Sequence, residues 1–123
     1  MKGDAFFEIS FFESLLKRSP RYVEVISILG NLYTRNGRIN DGLRMDRKLV
    51  RLQPENPAAH YNLACSLALK MRKRDAVAAL RKSLECGYKD YEWIKRDSDL
   101  DNLRAYQPFR ELLSQYAAQS KSA

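Results

Sequence analysis

Apolar residues recur along this chain at spacings of three and four, in blocks that end at proline or glycine. Phe7, Phe11, Phe12, Leu15 and Leu16 form the first stripe and predict a helix from about Asp4 to Lys17. Ser19-Pro20 ends it, because proline disfavours helix in the residue before it. Val25, Ile26, Leu29, Leu32 and Tyr33 predict a second helix, Tyr22 to Arg35, closed by Asn36-Gly37. A third runs from about Asn40 to Leu52 with Leu43, Leu49, Val50 and Leu52 inward, and Pro54 and Pro57 follow. The fourth, Pro57 to Met71, carries Tyr61, Leu63, Ala64, Leu67 and Leu69; proline in its first turn lacks only an N–H that has no partner there. The fifth, Arg74 to Cys86, carries Ala76, Val77, Leu80 and Leu84 and stops at Gly87. The tail predicts short helices over Lys89–Lys95 and Leu100–Arg104 and a last one from Pro108 to Ala118, with residues 119–123 frayed.

No alternating strand pattern occurs, and the helices are joined by short turns, so neighbours must run antiparallel. Pro20 and Pro54 lie 34 residues apart, each closing one apolar helix and preceding the next. A helix–turn–helix unit repeated at that period defines a solenoid, in which each pair buries its faces on the next.

At 123 residues, 45% hydrophobic and 30% charged, the chain is one globular domain with enough core to fold without metal or disulfide. No apolar run reaches the roughly 20 residues of a membrane span. The start, MKGDAFFEISFFESLL, carries Asp4, Glu8 and Glu13, which a secretion signal excludes, so a cytoplasmic protein is expected. Cys65 and Cys86 fall in apolar patterns and read as small buried residues, with a disulfide or redox pair as the alternative. Two cysteines and one histidine do not make a structural zinc site without carboxylates. Net charge is +7, concentrated in residues 35–51 and 70–82, while 87–101 is acidic.

The segment from Val23 to Asn56 resembles a tetratricopeptide repeat (TPR), with Leu29-Gly30 and Tyr33 in the first helix, Gly37 in the turn and Pro54 at the close. The segment from Pro57 looks like the next repeat, with Tyr61-Asn62-Leu63-Ala64, Leu67, Ala76 and Leu80. Gly42 stands where that family uses alanine and Asp46 where it uses an aromatic, so the third helix is expected to pack loosely. Tyr88 replaces the second closing proline. The first helix is similar to the second half of a repeat. The tail, with Trp93, Asp97, Leu100, Leu103, Pro108 and Phe109, is similar to a terminal segment that follows such repeats in bacterial proteins.

The resemblance implies an all-α, right-handed helical solenoid of antiparallel pairs with a helical C-terminal cap. Its parts are a half repeat (4–20), two repeats (21–56 and 57–88), capping helices (89–118) and a tail (119–123). It implies that the first helix of each pair lines a concave groove for an extended peptide or partner helix. The groove positions are then Glu24, Ser27, Asn31, Thr34 and Arg35 in the first repeat. Those of the second are Ala58, Tyr61, Cys65, Ala68 and Leu69, with Asn62 beside them. Some members clamp a C-terminal carboxylate. Asn31, Asn62 and Arg96 cover part of that set, but Ser27 and Glu92 replace its lysines, so an unspecialised groove is expected.

His60 falls at a position facing the paired helix and reads as packing. A catalytic role would need a nucleophile and an orienting carboxylate, and the pattern supplies neither. The Asp97–Asp101 run lacks the glycine and terminal glutamate of an EF-hand and reads as helix capping. The basic runs KMRKR and RMDRKLVR fall on second helices and on a turn, hence on the outer surface. A solvated face is the simplest reading and a nucleic-acid surface the alternative. Phe6, Phe7, Phe11 and Phe12 crowd a helix without its partner, which points to homodimerisation through that end. The expected function is non-catalytic protein–protein scaffolding, with no cofactor and no metal; a basic module binding nucleic acid or another polyanion through its outer face is the alternative.

Overall fold

The computed structural model describes the backbone of residues 2–122 and the side chains of residues 5–119. Within them the chain forms seven α-helices and one 3₁₀ helix: α1 (Lys2–Arg18), α2 (Val23–Arg35), α3 (Ile39–Leu52), α4 (Pro57–Leu69), α5 (Lys73–Glu85), α6 (Tyr91–Arg96), the 3₁₀ helix (Ser98–Leu103) and α7 (Gln107–Ser122). Each of α1 to α4 packs on the next helix in sequence, and α4 pairs with α5. The 3₁₀ helix lies on α4, and α7 lies on α5. The result is a helical solenoid closed by a cap. α7 continues past the expected end at Ala118 to Ser122, so residues 119–122 of the tail expected to fray are helical.

The turns inside the two pairs are copies of each other. Gly37 N donates to Thr34 O and Arg38 N to Tyr33 O; Met71 N donates to Ala68 O and Arg72 N to Leu67 O. Every one of those atoms is displaced by the same 34 residues. The turn demands a left-handed residue, and Gly37 supplies it at φ +81°. In the second copy Met71 adopts φ +62°, an uncommon conformation for a residue with a Cβ. The fourth helix therefore ends at Leu69, two residues before the expected Met71.

The core forms two adjoining clusters. One joins Ile9, Ile26, Leu29, Tyr33, Met45 and Leu49. The other joins Leu43, Leu67, Leu80, Ile94, Leu100 and Phe109, so the cap shares the core of the second repeat.

On α1 the expected stripe is rotated. Ile9 is buried and Phe12, Leu15 and Leu16 pack beside it, whereas Phe6 and Phe7 are 73% and 72% exposed and Phe11 is 52% exposed. Among the described residues α1 packs chiefly on α2 and buries one narrow face, which Ile9, Phe12 and Leu16 already fill. Tyr33 Oη donates to Glu13 Oε2 at 2.5 Å and fastens α1 to α2.

The third helix does not pack loosely. A Cβ on Gly42 would collide with Thr34 Oγ1 and lie 3.1 Å from Gly30 O, so α2 and α3 cross at two glycines with no spare room. His60 is buried, with Nε2 2.7 Å from Pro54 O, and packs as expected. Both cysteines are free; Cys65 is buried but Cys86, at the end of α5, is only half-buried.

Candidate functional site

The helical period places Ser27, Asn31 and Thr34 on one face of α2, and Tyr61, Asn62 and Cys65 on the matching face of α4. Between these faces lies an open depression of about 200 Å³. All six residues line it, together with Gly30, Asp46, Ser66, Trp93, Asp97 and Asp99. Glu24, Arg35, Ala58, Leu69 and Arg96, also expected at the groove, do not line it.

The cap accounts for Leu69 and Arg96. The 3₁₀ helix covers the C-terminal part of α4, where Ala68 is fully buried and its carbonyl accepts from Asn102 Nδ2 at 3.1 Å. Trp93 and Asp97, four residues apart, turn toward the depression and leave Arg96 exposed outside it. The side chain of Asp97 caps the 3₁₀ helix by accepting from Asp99 N at 3.0 Å. Its other oxygen accepts from Tyr61 Oη at 2.5 Å and from Cys65 Sγ at 3.7 Å. Tyr88 stacks on Tyr61, with ring centroids 4.5 Å apart and planes 1° from parallel. Tyr61 and Cys65 are therefore largely walled in, and the accessible lining is Ser27, Asn31, Asn62 and Trp93.

Asp46 reaches the same space from α3. Gly30 makes this possible, since a Cβ there would sit 3.0 Å from Asp46 Oδ1. Ser66 on α4 donates to Asp46 Oδ2. Burial pushes the Asp46 carboxyl up to about 6, and the Ser66 hydrogen bond opposes that rise. Asp99 is also raised, first by burial and then by the charges of Asp97 and Asp101. Burial raises the Cys65 thiol strongly, and the nearby Asp97 adds to it, so the side chain stays an inert thiol at neutral pH.

Cys65, Asp97 and Asp99 offer atoms within 4.8 Å of one another, a spacing that could hold a metal ion. The donor set argues for structure instead. Both Asp97 oxygens already accept from protein donors, and the thiol resists the deprotonation that metal binding requires. Of the acidic run, expected to cap helices, Asp97 does so by accepting from Asp99 N, while Asp101 pairs with Arg104; Asp90, outside the run, caps α6 by accepting from Trp93 N.

Sequence reasoning missed Gly30, Asp46, Ser66, Trp93, Asp97 and Asp99 as lining residues. Asp46 carried a signal, an acid standing in an aromatic position; Asp97 and Trp93 matched only the tail pattern.

No protein-family model matches the chain. It is 30% identical over 90 residues to a chloroplastic protein of Arabidopsis thaliana, a match covering 71% of this chain and 27% of that protein. It is 31% identical over 90 residues to the peroxisomal targeting signal receptor of Komagataella phaffii, covering 73% of this chain and 16% of the receptor. The chain thus spans about a quarter or less of the length of these relatives. Two crystal structures of MamA superpose on 90% of the chain. One has a TM-score of 0.65 at 25% identity over 70% of its own length, the other 0.68 at 23% over 65%. Fold and likeness together define a helical repeat protein. The chain is a TPR-like protein.

Proposed function

We propose that this protein is a non-catalytic scaffold whose concave depression, between α2, α4 and the cap, binds a peptide or helix of a partner protein. The observation that carries this is the pair of exposed amides, Asn31 and Asn62, flanking one depression from successive repeats. Side-chain amides there can bond an extended backbone without demanding a particular sequence. The similarity to a receptor for a targeting signal favours a polypeptide ligand.

The test is binding to an array of random peptides, comparing the native chain with an Asn31→Ala/Asn62→Ala variant. Both side chains are exposed, so the variant should fold. The reading expects loss of most binders. Binders that survive it and vanish with charge reversal at Arg72 and Arg74 would favour the basic outer face instead. Arg72 already spends part of its charge on Asp75, at 3.1 Å.

Self-association belongs to the same reading, because Phe6, Phe7 and Phe11 stand exposed on α1. Light scattering should show a mass that rises with concentration and falls back in a Phe7→Ser/Phe11→Ser variant. A single-chain mass at high concentration would sink it.

A further inference from the structure

Two features of α1 lie away from the concave face. One is the aromatic surface of Phe6, Phe7 and Phe11. The other is an open groove of about 690 Å³ between α1, α2 and α3. Leu16, Leu29, Tyr33 and Met45 supply its apolar lining, and the exposed Ser14, Lys17 and Arg44 stand at its edge. Leu29 and Tyr33 fall on the face of α2 opposite Ser27, Asn31 and Thr34, so the groove and the depression open on opposite sides of that helix.

The aromatic surface and the groove share a face of α1. Phe7, Ser10, Ser14 and Lys17 follow at spacings of three, four and three; Phe7 lies one turn before the groove, and the other three line it. A second copy of α1 can lie antiparallel across this face, with a two-fold axis between Ser10 and Ser14. Each Ser10 then meets the other chain's Ser14, and each Phe7 meets the other chain's Lys17, at the edge of the groove. Serines at the crossing are small enough for the helices to approach, and the Lys17 ammonium can lie against a phenylalanine ring.

Charge favours the same direction. Glu8 lies in the first half of α1, and Lys17 and Arg18 lie in its last turn. An antiparallel approach brings the acidic end of one helix to the basic end of the other, whereas a parallel approach sets like charges side by side. The helix dipoles act in the same sense. The area is adequate as well. The exposed parts of Phe6, Phe7 and Phe11 amount to roughly 400 Å² per chain. With both chains and the surfaces that cover these rings, the contact reaches roughly 1,600 Å², the size of a stable protein–protein interface.

We propose that the groove between α1, α2 and α3 seats the phenylalanines of α1 from a second copy of this chain, in an antiparallel two-fold dimer. This rests on the self-association read from the exposed phenylalanines and names the surface that receives them. Both depressions stay open in such a dimer, so a partner with two copies of its binding segment gains avidity.

Two measurements test it. The first is sedimentation equilibrium of the native chain and a Ser14→Arg variant. Ser14 is exposed and its hydroxyl donates to Ser10 O of the same helix, so the variant should fold. The arginine blocks the edge of the groove and leaves every phenylalanine in place. The proposal expects the dimer dissociation constant to rise by about tenfold or more, as it should in Phe7→Ser/Phe11→Ser. Undiminished dimerisation in Ser14→Arg would overturn the groove, and self-association stands if the phenylalanine variant still weakens it. A native chain that stays monomeric would remove both.

The second is disulfide trapping in a Cys86→Ser background. A mixture of Ser10→Cys and Ser14→Cys chains should cross-link under mild oxidation, and either chain alone should not, because the two-fold sets unlike positions opposite each other. Cross-links as fast in one chain alone as in the mixture, or none in the mixture, would refute the arrangement.

Discussion

Tyr61 Oη donates to Asp97 Oδ2 at 2.5 Å, across 36 residues of chain. This bond ties the first helix of the second repeat to the residue that starts the cap's 3₁₀ helix, and Tyr88 covers it by stacking on the Tyr61 ring. Tyr61→Phe keeps the ring and the stack but removes the donor. It should destabilise the fold by about 1–2 kcal/mol in chemical denaturation. Hydrogen exchange should quicken first in α6 and the 3₁₀ helix. Uniform acceleration across all helices would show that the bond does not act on the cap.

Met71 holds the left-handed position that Gly37 holds in the preceding turn, with its side chain 58% exposed. Its side chain contributes little there, while its Cβ strains the backbone. Met71→Gly should therefore stabilise the protein, by about 1 kcal/mol after the added freedom of the unfolded chain is subtracted. A thermal melt should rise by about 4 °C. Gly37→Ala, the opposite exchange at the equivalent position, should lower it.

Gly42 should tolerate no side chain. Gly42→Ala drives a methyl group into Thr34 Oγ1 and places it 3.1 Å from the carbonyl of Gly30, so α2 and α3 must separate. A loss of about 2 kcal/mol is expected. Adding Thr34→Ala removes the first clash and leaves the second, so it should restore part of the loss. The double-mutant cycle should show clear coupling.

Asp46 makes stability depend on pH. Its carboxyl is raised from 3.8 to about 6 in the folded protein, so the fold binds this proton more tightly than the unfolded chain does. That contribution is full below 3.8 and is lost as pH rises through about 6. Asp46→Asn accepts from Ser66 without the charge. The variant should match the native chain near pH 4 and exceed it by about 2 kcal/mol near pH 8. Urea midpoints at the two pH values measure this. Equal offsets at both would mean that Asp46 does not titrate in this range.

Much of the fold was legible in the sequence because its signals are local. Stripes at three and four mark helices, and glycine or proline marks their ends. Gly37 with its left-handed φ, and Asn56 accepting from Ala58 N and Ala59 N ahead of Pro57, are local solutions to helix termination that residue type reveals. Half of the depression was legible through the TPR resemblance, which implied Ser27, Asn31, Thr34, Tyr61, Asn62 and Cys65 as groove positions; helix register then sets them on matching faces of α2 and α4.

Periodicity assigns a face to a helix but does not say which neighbour will cover it. Phe7 and Phe11 share the period of a buried stripe, yet they are exposed because α1 packs chiefly on α2, through the face of Ile9, Phe12 and Leu16. Asp46 enters the depression only because Gly30 opens the crossing between α2 and α3. Asp97 closes on Tyr61 only because the cap folds back over α4. The sequence by itself determined the helices, their turns and the 34-residue repeat. The tertiary structure decided that the concave face is short, partly roofed and acidic, because that depends on contacts between residues far apart in the chain.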